Sequence, residues 1–394
     1  MSTASSTFSQ RYALGPSLAA AAVLAIGMGF GRFAFTGLYP VMVNDGILTV
    51  HSGTLAASAN YAGYLIGALL VSGAKPADAR WLSIATAIVS VLCMAALTWV
   101  HASWGIVAIR GLAGIASAIS MIAASLWLLQ HMGHAHGAPL LYSGVGAGIV
   151  LSAELIAAGH NSGLGSAAIW LVLAVCSLVI IVIAMPALSA QPKPELHFGR
   201  AGSDHAGARS GSTLDAVRLI VIYGLAGFGY IITATYLPLL IKGALGSVNP
   251  MQVWAVFGLG AVPSCFLWHS LHIRYGTRIS LVLNLIVQAI GVVLPALDHS
   301  ALSYLASALL VGGTFVGTVT IAMPAGRRVA HAVRFNMIAG MTAAYGIGQI
   351  VGPLVANALY ASSHSFTESL LAATGTLVLA AILSLGVASS HNNR

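Results

Sequence analysis

Residues 16–39 read PSLAAAAVLAIGMGFGRFAFTGLY, a run in which Arg32 is the only charged residue. An α-helix crosses a bilayer core of about 30 Å with roughly 20 apolar residues, so this stretch predicts a membrane span. Similar runs are too long for barrel strands and do not alternate, which favours helices. We predict an all-α membrane protein of twelve transmembrane helices, with further spans at 53–73, 81–100, 104–130, 138–159, 165–188, 215–241, 250–271, 277–297, 300–324, 335–360 and 366–388.

The composition excludes other classes of protein. Only 6% of the 394 residues are charged and 58% are hydrophobic, against roughly a quarter charged in soluble domains. The net charge of +8 does not predict nucleic-acid binding, because the Lys and Arg residues are separated by long apolar segments and are not clustered on a water-facing surface. The three cysteines have no disulfide or zinc spacing, and we read the histidines of 131–136 as a solvated loop. We expect no metal and no cofactor.

The distribution of cations predicts the orientation of the chain. With a cytoplasmic N-terminus, 13 of the 16 Lys and Arg residues fall in cytoplasmic segments. Arg32 and Arg110 lie within spans, which leaves Lys242 as the one external cation. We therefore expect a multi-pass protein of the inner (cytoplasmic) membrane with both termini in the cytoplasm.

The chain repeats itself at an offset of 198 residues. The tetrapeptide 29–32 (GFGR) returns as 227–230 (GFGY), Pro40 returns as Pro238, and Arg80 as Arg278. An even number of helices per repeat gives parallel halves, an arrangement found in transporters that rock about a central site. We predict a six-helix bundle at 1–188, a cytoplasmic linker at 189–214 and a second six-helix bundle at 215–394.

Glycines within the spans predict close helix packing. The sequence GVGAG at 144–148 imitates a nucleotide-binding loop, but it lies inside a span with no βαβ unit around it. Small residues at this spacing let helix backbones approach each other. The same interpretation applies to three GxxxG pairs, at 63 and 67, 313 and 317, and 348 and 352.

The chain resembles the major facilitator superfamily of secondary transporters. The stretch 27–35 (GMGFGRFAF), followed by 60–64 (NYAGY), is similar to the YbfB/YjiJ-type subgroup. Arg110 with its following glycines resembles the family's fourth-span motif. Residues 73–80 resemble a diverged version of the family's gating loop. The resemblance implies a monomeric secondary transporter working by alternating access on a small-molecule substrate. The fifth span lacks the Gly-Pro associated with exporters, so the direction of transport stays open.

Three charged residues within spans are the main functional candidates, because charge inside a membrane usually faces a cavity or another charge. Helix rise places Arg32, Arg110 and Glu154 at similar depths. Two guanidiniums facing one carboxylate leave a net positive site, suited to a small organic anion, with Glu154 exchanging a proton. The alternative is that Arg32 and Glu154 form a fixed structural pair and that Arg110 helps to lock the N-terminal half.

The second repeat supplies polar groups for the opposite side of the site. Tyr230 corresponds to Arg32, and Gln349 lies at membrane depth, so both are candidates for binding substrate. The alternative for each is hydrogen bonding between helices, which is common in membrane bundles. A largely apolar cavity rich in Gly and Ala would instead suit efflux of amphipathic drugs. A receptor or scaffold is less favoured because no soluble domain is present, and we expect no enzyme because the spans hold no catalytic constellation.

Overall fold

The computed structural model describes residues 3–189, 212–240, 250–335 and 337–387. These residues form helices and no strand. Helix α1 consists of three consecutive segments, Thr3–Leu24, Ala25–Phe33 and Ala34–Asn44. It is followed by α2 (Val50–Leu70), α3 (Ala79–Ala96), α4 (Ser103–Leu126), α5 (Ala138–Asn161), α6 (Ser166–Leu188), α7 (Thr213–Leu240), a long rod (Pro250–Leu297), α10 (Ala301–Val329), α11 (Met337–Ser363) and α12 (Thr367–Ser384).

The long rod is two helices joined at Gly276. That residue has φ 76° and ψ 178°, a conformation open mainly to glycine, so residues 250–275 form α8 and residues 277–297 form α9. Ten stretches of the described chain are long and apolar enough to cross a membrane, with this rod counted as one of them. Dividing the rod and adding the 21-residue α2 gives twelve helices. The predicted all-α membrane fold is confirmed.

Exposed tryptophans mark both ends of α3. Trp81 stands at its start with 67% of its surface exposed, and Trp99 and Trp104 flank its far end at 68% and 79%. Tryptophan is enriched where a membrane meets water. The 18 residues of α3 span about 27 Å at the α-helical rise, which matches the thickness of a hydrocarbon core. The helix therefore has the length and the flanking residues of a membrane span.

Glycines set the separation of helices within each group of six, as predicted. Gly29 of α1 faces Gly148 of α5. A Cβ added to Gly148 would lie 2.5 Å from the carbonyl oxygen of Ala25 on α1. In the GxxxG pair on α2, a Cβ on Gly67 would lie 2.5 Å from the backbone of α4, and Gly63 faces α4 as well. The second six helices repeat these pairings, α7 with α11 and α8 with α10, through Gly227, Gly260, Gly312, Gly348 and Gly352.

The first six helices contact the last six at several places, among them the pairs α5 with α8 and α2 with α11. A Cβ on Gly146 of α5 would lie 2.8 Å from that of Ala261 on α8. A Cβ on Gly346 of α11 would lie 3.2 Å from that of Leu65 on α2. The predicted linker at 189–214 lies almost entirely outside the described residues, so the boundaries of the two halves stay a prediction.

The middle segment of α1, Ala25–Phe33, is a π-helix in which every residue is buried. Its hydrogen bonds reach the fifth residue along, as from the Ala34 N–H to the Gly29 carbonyl. Such segments are uncommon and often occur at functional sites. The segment contains Arg32, whose surroundings are described next.

Candidate functional site

Arg110 is clamped to the backbone of the π-helical segment. Its Nη1 donates to the carbonyl oxygen of Gly31 at 2.7 Å, and its Nη2 donates to that of Arg32 at 2.9 Å. The Arg110 guanidinium lies 4.4 Å from the ring centre of Phe35, and its own backbone carbonyl accepts from Nδ2 of Asn60 at 2.9 Å. Arg110 therefore ties α4 to α1, and it holds the segment from which Arg32 extends.

Arg32 lies in an aromatic cage and reaches across to the last six helices. Only 2% of its surface is exposed. Its guanidinium carbon lies 4.2 Å from the ring centre of Tyr64 and 5.4 Å from that of Tyr61, within the range of cation–π attraction. Its Nη2 donates to Oε1 of Gln349 at 2.8 Å. The guanidinium of Arg32, on α1, therefore contacts α2 and α11 at the same time.

Gln349 links Arg32 to Tyr230. Arginine has only donors, so the amide oxygen of Gln349 must face Arg32 and its Nε2 must point away. That Nε2 donates to the hydroxyl of Tyr230. The Tyr230 ring is stacked between Phe315 and Tyr345, with centroid distances of 5.4 and 5.6 Å. The structure thus brings together four of the five residues predicted for the site.

Glu154, the fifth, is not brought to this group, and the expectation that it faces the two guanidiniums is wrong. Its side chain is exposed, on the same surface stripe of α5 as the exposed Leu151, while Ser152 and Ala153 are buried. Within the described residues its carboxylate forms no hydrogen bond or ion pair. Helix rise predicts only how far along the helix a residue lies, and the direction of its side chain around the helix axis decides what it meets.

Among the residues that the structure describes, no acidic side chain pairs with either guanidinium. Among the described residues the one ion pair joins Arg218 and Asp215, near the start of α7. Within the same residues, Nε and Nη1 of Arg32 and Nε of Arg110 are buried without a hydrogen-bond partner. Buried charges are ordinarily paired, and buried donors are ordinarily satisfied. The site therefore has a surplus of positive charge and of donors.

A small cavity adjoins the guanidiniums. Arg32, Arg110 and Phe35 line it together with hydroxyl-bearing residues such as Tyr61 and Thr235, and it extends along α1 toward Tyr39 and Gly53. The cavity offers about 20 Å³ of free space, enough for a water molecule and too little for an organic solute. Entry of a solute requires the helices to move apart. Within the described residues, no group of three His, Cys, Asp or Glu side chains is placed to hold a metal.

The sequence prediction missed the residues of α2 and α7 that complete the cage. Tyr61 and Tyr64 flank Arg32, and the Tyr61 hydroxyl is 2.8 Å from Oγ1 of Thr235. Asn60, Tyr61 and Tyr64 all stand in the stretch 60–64 that carries the family resemblance. That stretch was the available signal: three polar or aromatic side chains within five residues of a span.

A comparison with protein-family models matches residues 24–385 to the family described as "Uncharacterised MFS-type transporter YbfB". The match covers all but the ends of the chain. The chain belongs to this family. As an MFS-type transporter it is a multi-pass membrane protein that carries a small molecule across the bilayer, and the buried Arg32–Gln349–Tyr230 group lies within the matched region. A comparison with curated proteins finds none that matches.

Proposed function

We propose that this MFS-type transporter moves a small organic anion across the inner membrane, with Arg32 as the group that binds the anion. The supporting observation is the pair of buried guanidiniums beside a cavity, without an acidic partner among the described residues. A carboxylate entering the cavity would satisfy donors that are free and neutralise a charge that is costly to bury. Arg110 acts as a positioning residue, because backbone carbonyls already occupy both its Nη atoms.

Transport is proposed to follow alternating access, in which the two halves rock about this site. The small volume of the cavity supports such a cycle, because an organic solute would need the halves to separate in order to enter. We propose that the protein is a monomer. Both termini are proposed to be cytoplasmic, which the cation distribution supports. Coupling to protons is also proposed, without Glu154 in contact with the bound anion.

Efflux of amphipathic drugs is the second candidate function. Phe33, Phe35 and Ala57 contribute apolar surface to the cavity, and the caging tyrosines offer further ring faces. A cationic or neutral amphipath would meet these rings but would leave the charge of Arg32 unpaired. The two candidates therefore differ in whether binding depends on a negative group in the solute.

A thermal-shift screen with matched pairs of solutes tests the proposal. Purified protein is heated with lactate, benzoate or gluconate, and separately with lactamide, benzamide or gluconamide. We expect at least one carboxylate to stabilise the protein while its amide does not, since only a ligand that binds the folded state raises the melting temperature. Arg32→Gln should abolish the shift, and Arg274→Gln, an exposed arginine near the end of α8, should preserve it.

Two results would overturn the proposal. One is stabilisation by amphipathic drugs with no response to any carboxylate, which would favour the efflux candidate. The other is a carboxylate response that persists in Arg32→Gln, which would place the anion elsewhere.

A further inference from the structure

The Arg32–Gln349–Tyr230 chain is a polar connection between the two sets of helices. Arg32 belongs to α1, Gln349 to α11 and Tyr230 to α7. We infer that Gln349 occupies the position of the substrate's carboxylate on Arg32, and that substrate binding displaces it and so releases α1 from α7 and α11. This inference rests on the proposed function. It assigns to Gln349 the control of the conformational step, in place of the direct substrate contact predicted from the sequence.

Exchange of the amide for a carboxylate is favourable at this position. The Gln349 oxygen carries only a partial charge, and it satisfies one of the donors of Arg32. A carboxylate carries a full charge and has a second oxygen for the free Nε or Nη1. Hydrogen bonds between two charged groups are shorter and roughly twice as strong as neutral ones. A substrate carboxylate is therefore expected to bind Arg32 more strongly than the amide of Gln349 does.

Displacement of Gln349 removes a charged tie between the halves. Nearby, the halves are also joined by the Tyr61–Thr235 hydroxyl pair at 2.8 Å, and by the Trp254 indole N–H donating to the Phe33 carbonyl at 3.2 Å. Both of these are neutral hydrogen bonds, which contribute less than a bond to a guanidinium. Tyr230 remains fixed by its ring neighbours, so Gln349 is the mobile member of the chain.

Calorimetric titration of variants tests the competition. The titrant is the carboxylate of the thermal-shift panel that stabilises the wild type most. Gln349→Ala removes the competitor, so affinity should rise about tenfold, the equivalent of one hydrogen bond to a charged group. Gln349→Glu places a permanent carboxylate on Arg32, and affinity should fall by at least as much. Gln288→Ala, another buried amide of the second half, should leave affinity unchanged. Weaker binding by Gln349→Ala would overturn the inference, because it would show direct contact with substrate.

A second measurement tests the release without any substrate. Spin labels are placed on exposed positions of a cysteine-free background, one pair at Ser162 and His299 and another at Lys75 and Arg334. Electron–electron distance distributions are then compared between wild type, Gln349→Ala and Gln288→Ala. We expect Gln349→Ala alone to shift at least one distribution in the absence of ligand. Unchanged distributions would overturn the release, whereas failure of every carboxylate to bind would instead refute the proposed function.

Discussion

Arg32 and Arg110 are equally buried, and they differ in what their nitrogens meet. Both Nη atoms of Arg110 donate to backbone carbonyls, while Arg32 contacts one side-chain amide and three aromatic rings. A carbonyl of the main chain cannot leave, whereas a glutamine side chain can rotate away. Arg110 is therefore suited to holding two helices together, and Arg32 is suited to exchanging one hydrogen-bond partner for another.

Arg110→Lys should destabilise the protein although it keeps the charge. An ammonium group lacks the planar fork that serves two carbonyls at once, so at least one of the Gly31 and Arg32 carbonyls loses its donor. A buried polar group left unpaired costs about 1–3 kcal/mol. We expect a lower melting temperature in detergent than for Arg274→Lys, an exposed control. Equal melting temperatures would show that the clamp contributes nothing to stability.

Glu154→Gln should leave carboxylate binding unchanged. The Glu154 side chain is exposed on α5 and contacts neither guanidinium, so its charge has little influence on the site. Affinity from calorimetry and uptake driven by a pH gradient are both expected to match the wild type. Loss of gradient-driven uptake with unchanged affinity would identify Glu154 as a proton carrier acting at a distance from the anion.

At the scale of the helix, the contact between α1 and α5 depends on the absence of side chains. Gly29→Ala would bring a Cβ within 2.5 Å of the carbonyl carbon of Gly148. Overpacking of this kind costs about 1–3 kcal/mol, so we expect a clearly lower melting temperature. Gly375→Ala is the matched control, because a Cβ there meets nothing within 4 Å. That variant should gain up to about 1 kcal/mol from helix propensity. Similar effects of the two substitutions would contradict the packing described for α1.

The helices were predictable from the sequence, and the geometry of the site was not. Apolar length gave the spans, and the predicted gap between 271 and 277 contains the break at Gly276. Hydropathy predicts which residues lie within a span, but it does not predict that the Glu154 side chain points away from the interior of the helix bundle. The π-helical turn that receives Arg110 has no signature in residue spacing, because it depends on contacts with other helices.

At the scale of the whole molecule, alternating access requires α2 and α11 to move relative to each other. In the double variant Leu65→Cys with Gly346→Cys, the two Cβ atoms would be about 3.2 Å apart, close enough for a disulfide after slight adjustment. Oxidation should stop transport in proteoliposomes, and reduction should restore it. Gly224→Cys with Ala344→Cys gives a similar separation of 3.4 Å between α7 and α11, within one predicted half.

We expect the Gly224–Ala344 cross-link to leave transport intact, since both helices belong to the half that moves as a unit. Transport that survives the Leu65–Gly346 cross-link would show that these two helices stay together throughout the cycle. Inhibition by both cross-links would mean that motion within the second half is needed as well.

The surplus of positive charge at Arg32 and Arg110 has an electrical consequence. The site carries two guanidinium charges when it is empty and one net positive charge when a monovalent anion is bound, so voltage acts more strongly on the empty site. Moving one elementary charge through the full membrane potential changes the energy by about 2.3 kcal/mol per 100 mV. The membrane potential would therefore accelerate or slow the return of the empty carrier more than it affects the crossing of the loaded carrier. The membrane potential would then influence the fraction of time for which the empty binding site faces each side of the membrane.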